Sequence, residues 1–93
     1  MRILGEIPHP TWKITIFQME NKLSVKIECG MLEQTYKLRD NQLINSKEEV
    51  AEWLDDAFLR QISLNFQQMH KAAGESYARL KESVEDSDFD PIL

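Results

Sequence analysis

Residues 11–39 can be threaded into two consecutive hairpins that set apolar side chains opposite apolar side chains, and a slip of one residue in either hairpin destroys the match. In the first run Trp12, Ile14 and Ile16 alternate with Lys13 and Thr15. In the second Leu23, Val25, Ile27 and Cys29 alternate with Lys22, Ser24, Lys26 and Glu28. Period-two alternation marks a strand with one buried face. With Glu20-Asn21 as a two-residue turn, Trp12 falls opposite Cys29, Ile14 opposite Ile27 and Ile16 opposite Val25, while Lys13 meets Glu28 on the other face. Asn21 tolerates the positive φ that tight hairpin turns require.

The second hairpin closes on the same face. Gly30-Met31 suits a type II′ turn, with glycine at the first central position. Cys29 then faces Leu32, Val25 faces Tyr36 and Leu23 faces Leu38, with Gln34 opposite Ile27 as a polar exception. The result is a three-stranded antiparallel meander, apolar on one side. Residues 2–7 can add a fourth strand, although Gly5 interrupts it and Pro8-His9-Pro10 separates it from the first hairpin.

A helix follows the polar connection 40–45. Ser46 with Glu49 has the form of a capping box, and Glu48 and Glu49 suit the positive end of the helix dipole. No proline occurs from Lys47 until Pro91, so a helix over 47–84 is expected, about 55 Å long. Gly74 is its weak point, costing about 1 kcal/mol relative to Ala. Val50, Trp53, Leu54, Ala57 and Leu64 share one arc. Phe58, Ile62, Phe66, Met69, Ala73, Leu80 and Val84 share a second, rotated by roughly a third of a turn. A single sheet face covers only one arc. The second is therefore expected to meet another helix, most simply that of a second copy, through Phe58, Ile62, Phe66, Met69 and Ala73. A different protein is one alternative occupant. A helix broken at Ala73-Gly74 and folded back is another.

Ninety-three residues make one domain, and a chain of this size buries a limited share of its surface, for which dimerisation is a common remedy. Residues 1–84 are assigned to that domain and 85–93 to an acidic flexible tail. Residues 1–45 carry six Lys/Arg against five Asp/Glu, and 46–93 five against eleven, within a net charge of −5. In the tail, Phe89 and Ile92-Leu93 could dock on a partner. One cysteine excludes an intrachain disulfide, the N-terminal residues lack the apolar core of a secretory leader, and no apolar run reaches membrane-spanning length. A cytoplasmic protein that does not span a membrane is expected.

Catalytic chemistry has no foothold in the pattern. His9 sits between two prolines and His70 on the helix, with no nucleophile or carboxylate placed beside either by a motif. Cys29 falls on the buried face, where a thiol behaves as a small hydrophobe. Asp86, Asp88 and Asp90 mimic half a calcium loop but lack its glycine and final glutamate, and Pro91 comes directly after. Asp55 and Asp56, with the glutamates at 48, 49 and 52, read as a solvated acidic face. Three scattered glycines make no phosphate loop. No enzyme activity, cofactor or metal is expected.

The outer sheet face carries Lys13, Lys22, Lys26 and Lys37, with Arg39, Phe17 and Met19 beside them and Glu28 and Glu33 opposing. A basic sheet face with an aromatic is the general form of a single-strand stacking platform. The order of four strands and a helix over residues 2–70 resembles, in element order alone, the repeat unit of the Pur-type single-stranded nucleic-acid-binding fold; no motif residues match. Nucleic acid is thus the second reading, with Lys13, Phe17, Lys22, Lys26 and Lys37 as its face and the net negative charge against it. Phe17 and Met19 break the alternation, either through a bulge that turns them inward or as an exposed apolar patch.

The expected fold is α+β: a three- or four-stranded antiparallel meander, then one long C-terminal helix on its apolar face. The expected function is that of a non-enzymatic interaction module, homodimeric through the helix.

Overall fold

The computed structural model describes residues 2–39 and 44–87, with side chains as far as Val84. Four strands, β1 (Arg2–Ile7), β2 (Lys13–Met19), β3 (Lys22–Cys29) and β4 (Leu32–Arg39), form one antiparallel sheet in the order β1-β2-β3-β4. Two helices come next, α1 (Lys47–Trp53) and α2 (Asp56–Ser87). The acidic stretch beyond Ser87, with Phe89 and Ile92-Leu93, lies outside the described residues.

Both hairpins take the registers that their alternation demands. Ile14 pairs with Ile27 and Ile16 with Val25. Cys29 pairs with Leu32, Ile27 with Gln34, Val25 with Tyr36 and Leu23 with Leu38. Gly30 takes φ 61°, the left-handed conformation that its turn position requires. At the other turn the positive φ falls on Glu20 (51°) and not on Asn21.

Residues 2–7 do form the fourth strand. Its register against β2 shifts between Ile3 and Gly5, where a bulge absorbs Leu4. Gly5 takes φ 155°, and the stem of Lys47 lies over it, so that an added Cβ would stand 3.1 Å from Lys47 Cδ.

The helical region departs from the expected unbroken rod. Ser46 caps α1: its Oγ accepts the Glu49 N–H at 3.3 Å, and Glu49 Oε1 reaches one residue beyond the cap position of a capping box to accept the N–H of Asn45 at 2.9 Å. The helix then stops at Leu54, whose ψ of 67° is not helical. Asp55 restarts it, its Oδ1 accepting the Phe58 N–H at 2.9 Å in the manner of an N-cap. Gly74, in contrast, lies inside α2 without interrupting it.

This break divides the apolar positions between two helices, α1 over β1 and α2 over β4, which share one core. Val50 and Leu54 of the first arc and Ile62 and Phe66 of the second enter it, whereas Ala57 and Leu64, expected on the first arc, fall on α2 and are exposed. That core comprises Ile14, Ile16, Leu23, Val25 and Ile27 from the sheet, Val50 and Leu54 from α1 and its end, and Ile62 and Phe66 from α2. Trp12 packs against it, 5.5 Å from the Phe66 ring, and Tyr36, Trp53 and Phe58 close one side with edge-to-face contacts. Gln34, the polar exception, is buried and satisfied. Its Nε2 donates to the Ile62 carbonyl at 2.9 Å, and its Oε1 accepts from Tyr36 Oη at 2.5 Å and from Asn65 Nδ2 at 3.3 Å.

Candidate interaction surfaces

Two surfaces remain once the core is accounted for: the far end of α2 and the open face of the sheet. At about 1.5 Å per residue the 32 residues of α2 span about 48 Å, far longer than the strands beneath them. The radius of gyration, 18.8 Å, exceeds the roughly 12 Å of a compact chain of this length, and the molecule extends 62 Å along its long axis.

Of the five residues expected at a partner contact, Ile62 (0 % exposed) and Phe66 (5 %) lie in the chain's own core. Phe58 and Met69 pack against that core half-buried, and Ala73 alone is exposed. From 70 to 84 every residue is exposed. Within that stretch Tyr77 is 68 %, Leu80 62 % and Val84 53 % accessible. At about 100° per residue, Ala73, Tyr77, Leu80 and Val84 all fall within about 40° of Phe66. The face that covers the sheet thus continues, apolar and uncovered, off the end of it. Lys71, Glu75, Arg79 and Glu82 fall on the opposite side. Tyr77 belongs to this stripe by its spacing, four residues after Ala73 and three before Leu80.

Where α2 leaves the sheet, it and the β3–β4 turn enclose an apolar groove of about 700 Å³, lined by Cys29, Met31, Leu32, Phe66, His70 and Ala73 among others. Met31, at the tip of the turn, is fully exposed.

The open face gathers all five residues expected of a nucleic-acid surface. Cross-strand registry sets Ile3, Phe17, Ser24 and Lys37 in one row and Met19, Lys22 and Arg39 in the next. Further along, Lys13 pairs with Glu28 and Glu28 with Glu33, and Lys26 Nζ lies 3.6 Å from Glu33 Oε1. Positive charge therefore collects at one end, beside exposed Ile3 and Met19. The β2–β3 register runs unshifted through Met19, so no bulge turns Phe17 and Met19 inward.

His9 has a structural task. Its Nδ1 accepts the backbone N–H groups of Thr11 (3.1 Å) and Trp12 (3.0 Å), and its ring stacks on Trp12 at 4.4 Å. Among the described residues no three His, Cys, Asp or Glu side chains converge as a metal site would require, and no helix is long and apolar enough to cross a membrane. No family model, no curated protein and no solved structure matches the chain.

Proposed function

We propose that this chain is a non-enzymatic interaction module that works as a homodimer through the distal half of α2. One observation carries the reading: the apolar stripe Ala73–Tyr77–Leu80–Val84 is continuous with the core-facing side of the helix, yet wholly uncovered. A helix with a charged back and an uncharged, partly aromatic front gains stability when that front is shielded, at roughly 25 cal/mol per Å² of apolar surface. An isolated arm has only helix propensity to hold it. Sedimentation equilibrium tests the reading. The wild type should dimerise at micromolar concentration, and Tyr77→Asp with Leu80→Asp should be monomeric with unchanged sheet structure. A wild type still monomeric at about 100 µM, a Kd weaker than roughly −5.5 kcal/mol of association, refutes it.

A second reading rests on the segregation of charge across the open face. Lys22, Lys37 and Arg39 flank Phe17 and Met19 at one end of the sheet, an arrangement suited to a short single strand with one base stacked on Phe17. It predicts binding of single-stranded oligonucleotides that weakens steeply with salt and is lost on Lys22→Glu with Lys37→Glu. Absence of binding at low salt removes it.

A further inference from the structure

We infer that the groove between the β3–β4 turn and α2 is the socket for the end of a second copy's α2, so that two chains clasp antiparallel, each arm seated in the other's groove. The inference rests on the self-association reading and adds its geometry and its second contact surface.

Three observations select this arrangement. The first is steric. The stripe lies on the same side of α2 as the residues that cover the sheet, so as far as Met69 that side is filled by the chain's own strands. Two arms side by side and parallel would force both sheets into the space between the helices. Antiparallel arms place each sheet beyond the tip of the other arm, and the partner's helix takes over where the sheet stops.

The second is self-complementarity, as a two-fold contact demands. The stripe runs from Ala73 to Val84, and a two-fold axis through its middle sets Ala73 against the partner's Val84 and Tyr77 against the partner's Leu80. Small meets branched and aromatic meets aliphatic in every layer. On the flanks of the stripe Gly74 then adjoins the partner's Lys81 and Ser76 the partner's Ser83, so no like charges oppose one another, while Lys71, Glu75, Arg79 and Glu82 stay in solvent. In this register the partner's Val84 reaches the level of Ala73, which lines the groove beside Cys29 and Met31.

The third is area. A stripe about 17 Å long on helices about 10 Å apart removes only a few hundred Å² from each partner. A stable interface needs upward of about 1,000 Å² in total. Arm against arm falls short, and the groove that Ala73 lines is the apolar surface directly adjoining the stripe.

The single native thiol makes the test direct, because Cys29 lines the groove. The exposed Val84 is replaced by Cys in the full chain, and a short bismaleimide is added to the protein at a concentration where sedimentation shows the dimer. Val84→Cys should give a covalent dimer linked from Cys29 of one copy to the introduced thiol of the other, identified by peptide mass. Cys29→Ser with Val84→Cys should not cross-link. Met31→Glu, which alters a side chain exposed in the single chain, should weaken the dimer by at least about tenfold by placing a charge in the socket. A wild-type dimer whose Val84→Cys form fails to cross-link, or whose Cys29→Ser, Val84→Cys form links through the two introduced thiols, overturns the antiparallel clasp and leaves self-association standing. A wild type that is monomeric throughout overturns both.

Discussion

Gln34 sits between the sheet and α2 with its amide engaged at both ends, donating to the Ile62 carbonyl and accepting from Tyr36 and Asn65. Asn65 in turn accepts from Gln61 Nε2 at 3.0 Å, so the network runs from the core to the surface. Such a group fixes register: a helix slipped by one residue would leave a buried amide unsatisfied, at about 1–3 kcal/mol. Gln34→Leu keeps most of the volume but strips the acceptor from the Tyr36 hydroxyl. It should therefore destabilise the chain by about 1–3 kcal/mol, and Tyr36→Phe by about 1 kcal/mol. Because the two share a bond, their effects should fall short of additivity by at least about 0.5 kcal/mol in a urea-unfolding double-mutant cycle. Additive costs would mean that the 2.5 Å contact between them contributes nothing. Alternation marks Gln34 as the misfit of its face; its donor target, a backbone carbonyl 28 residues on, has no signature in side-chain pattern.

The sheet is legible because period-two alternation admits one register, and a single misplaced residue exposes the error. β1 is harder to read, since the bulge at Leu4 cancels the alternation that would identify it. The helix break escapes the pattern for a different reason. Two arcs rotated about one axis can be covered by a partner or by bending the helix, and periodicity does not choose between them. The deciding residue is Asp55. It passes for part of an acidic face, yet its short carboxylate three residues before Phe58 has the form of a cap. Asp55→Ala should accordingly cost about 1 kcal/mol, and Asp55→Asn, which keeps an acceptor, only a few tenths. Equal losses in the two variants would show that charge, not capping, matters there. The opposite test applies to the arm. Gly74 is helical and an added Cβ meets nothing within 4 Å, so in the monomer Gly74→Ala should strengthen the helix by up to about 1 kcal/mol. Slower amide exchange across residues 72–80, by about fivefold, is the expected readout. Of the surfaces, the open face can be read from alternation alone, which lays out both sides of a strand at once. The groove cannot, because it exists only through the angle at which α2 departs from the β3–β4 turn.

A body with a four-stranded sheet and an arm that extends far past it has two separable stabilities. The sheet, α1 and the first turns of α2 carry all of the core. The arm contributes no buried residue among those described. If the arm is the dimer contact, folding and association are linked, and the melting temperature must depend on concentration. Each tenfold increase in protein adds about 1.4 kcal/mol per dimer, or about 0.7 kcal/mol per chain. For a chain of 93 residues, with an unfolding entropy of about 2.1 cal/mol/K each, that shifts the midpoint by about 3–5 °C per decade. Tyr77→Asp with Leu80→Asp should flatten this dependence without lowering the midpoint measured in dilute solution, since both side chains lie in solvent in the single chain. A charge buried in the core would act differently: Ile62→Asp should lower the dilute midpoint itself, because that residue holds α2 to the sheet whether or not a second copy is present. The two substitutions thus separate the helix's two tasks, and a melting curve for the wild type that is independent of concentration across two decades would leave α2 with only the task of covering the sheet.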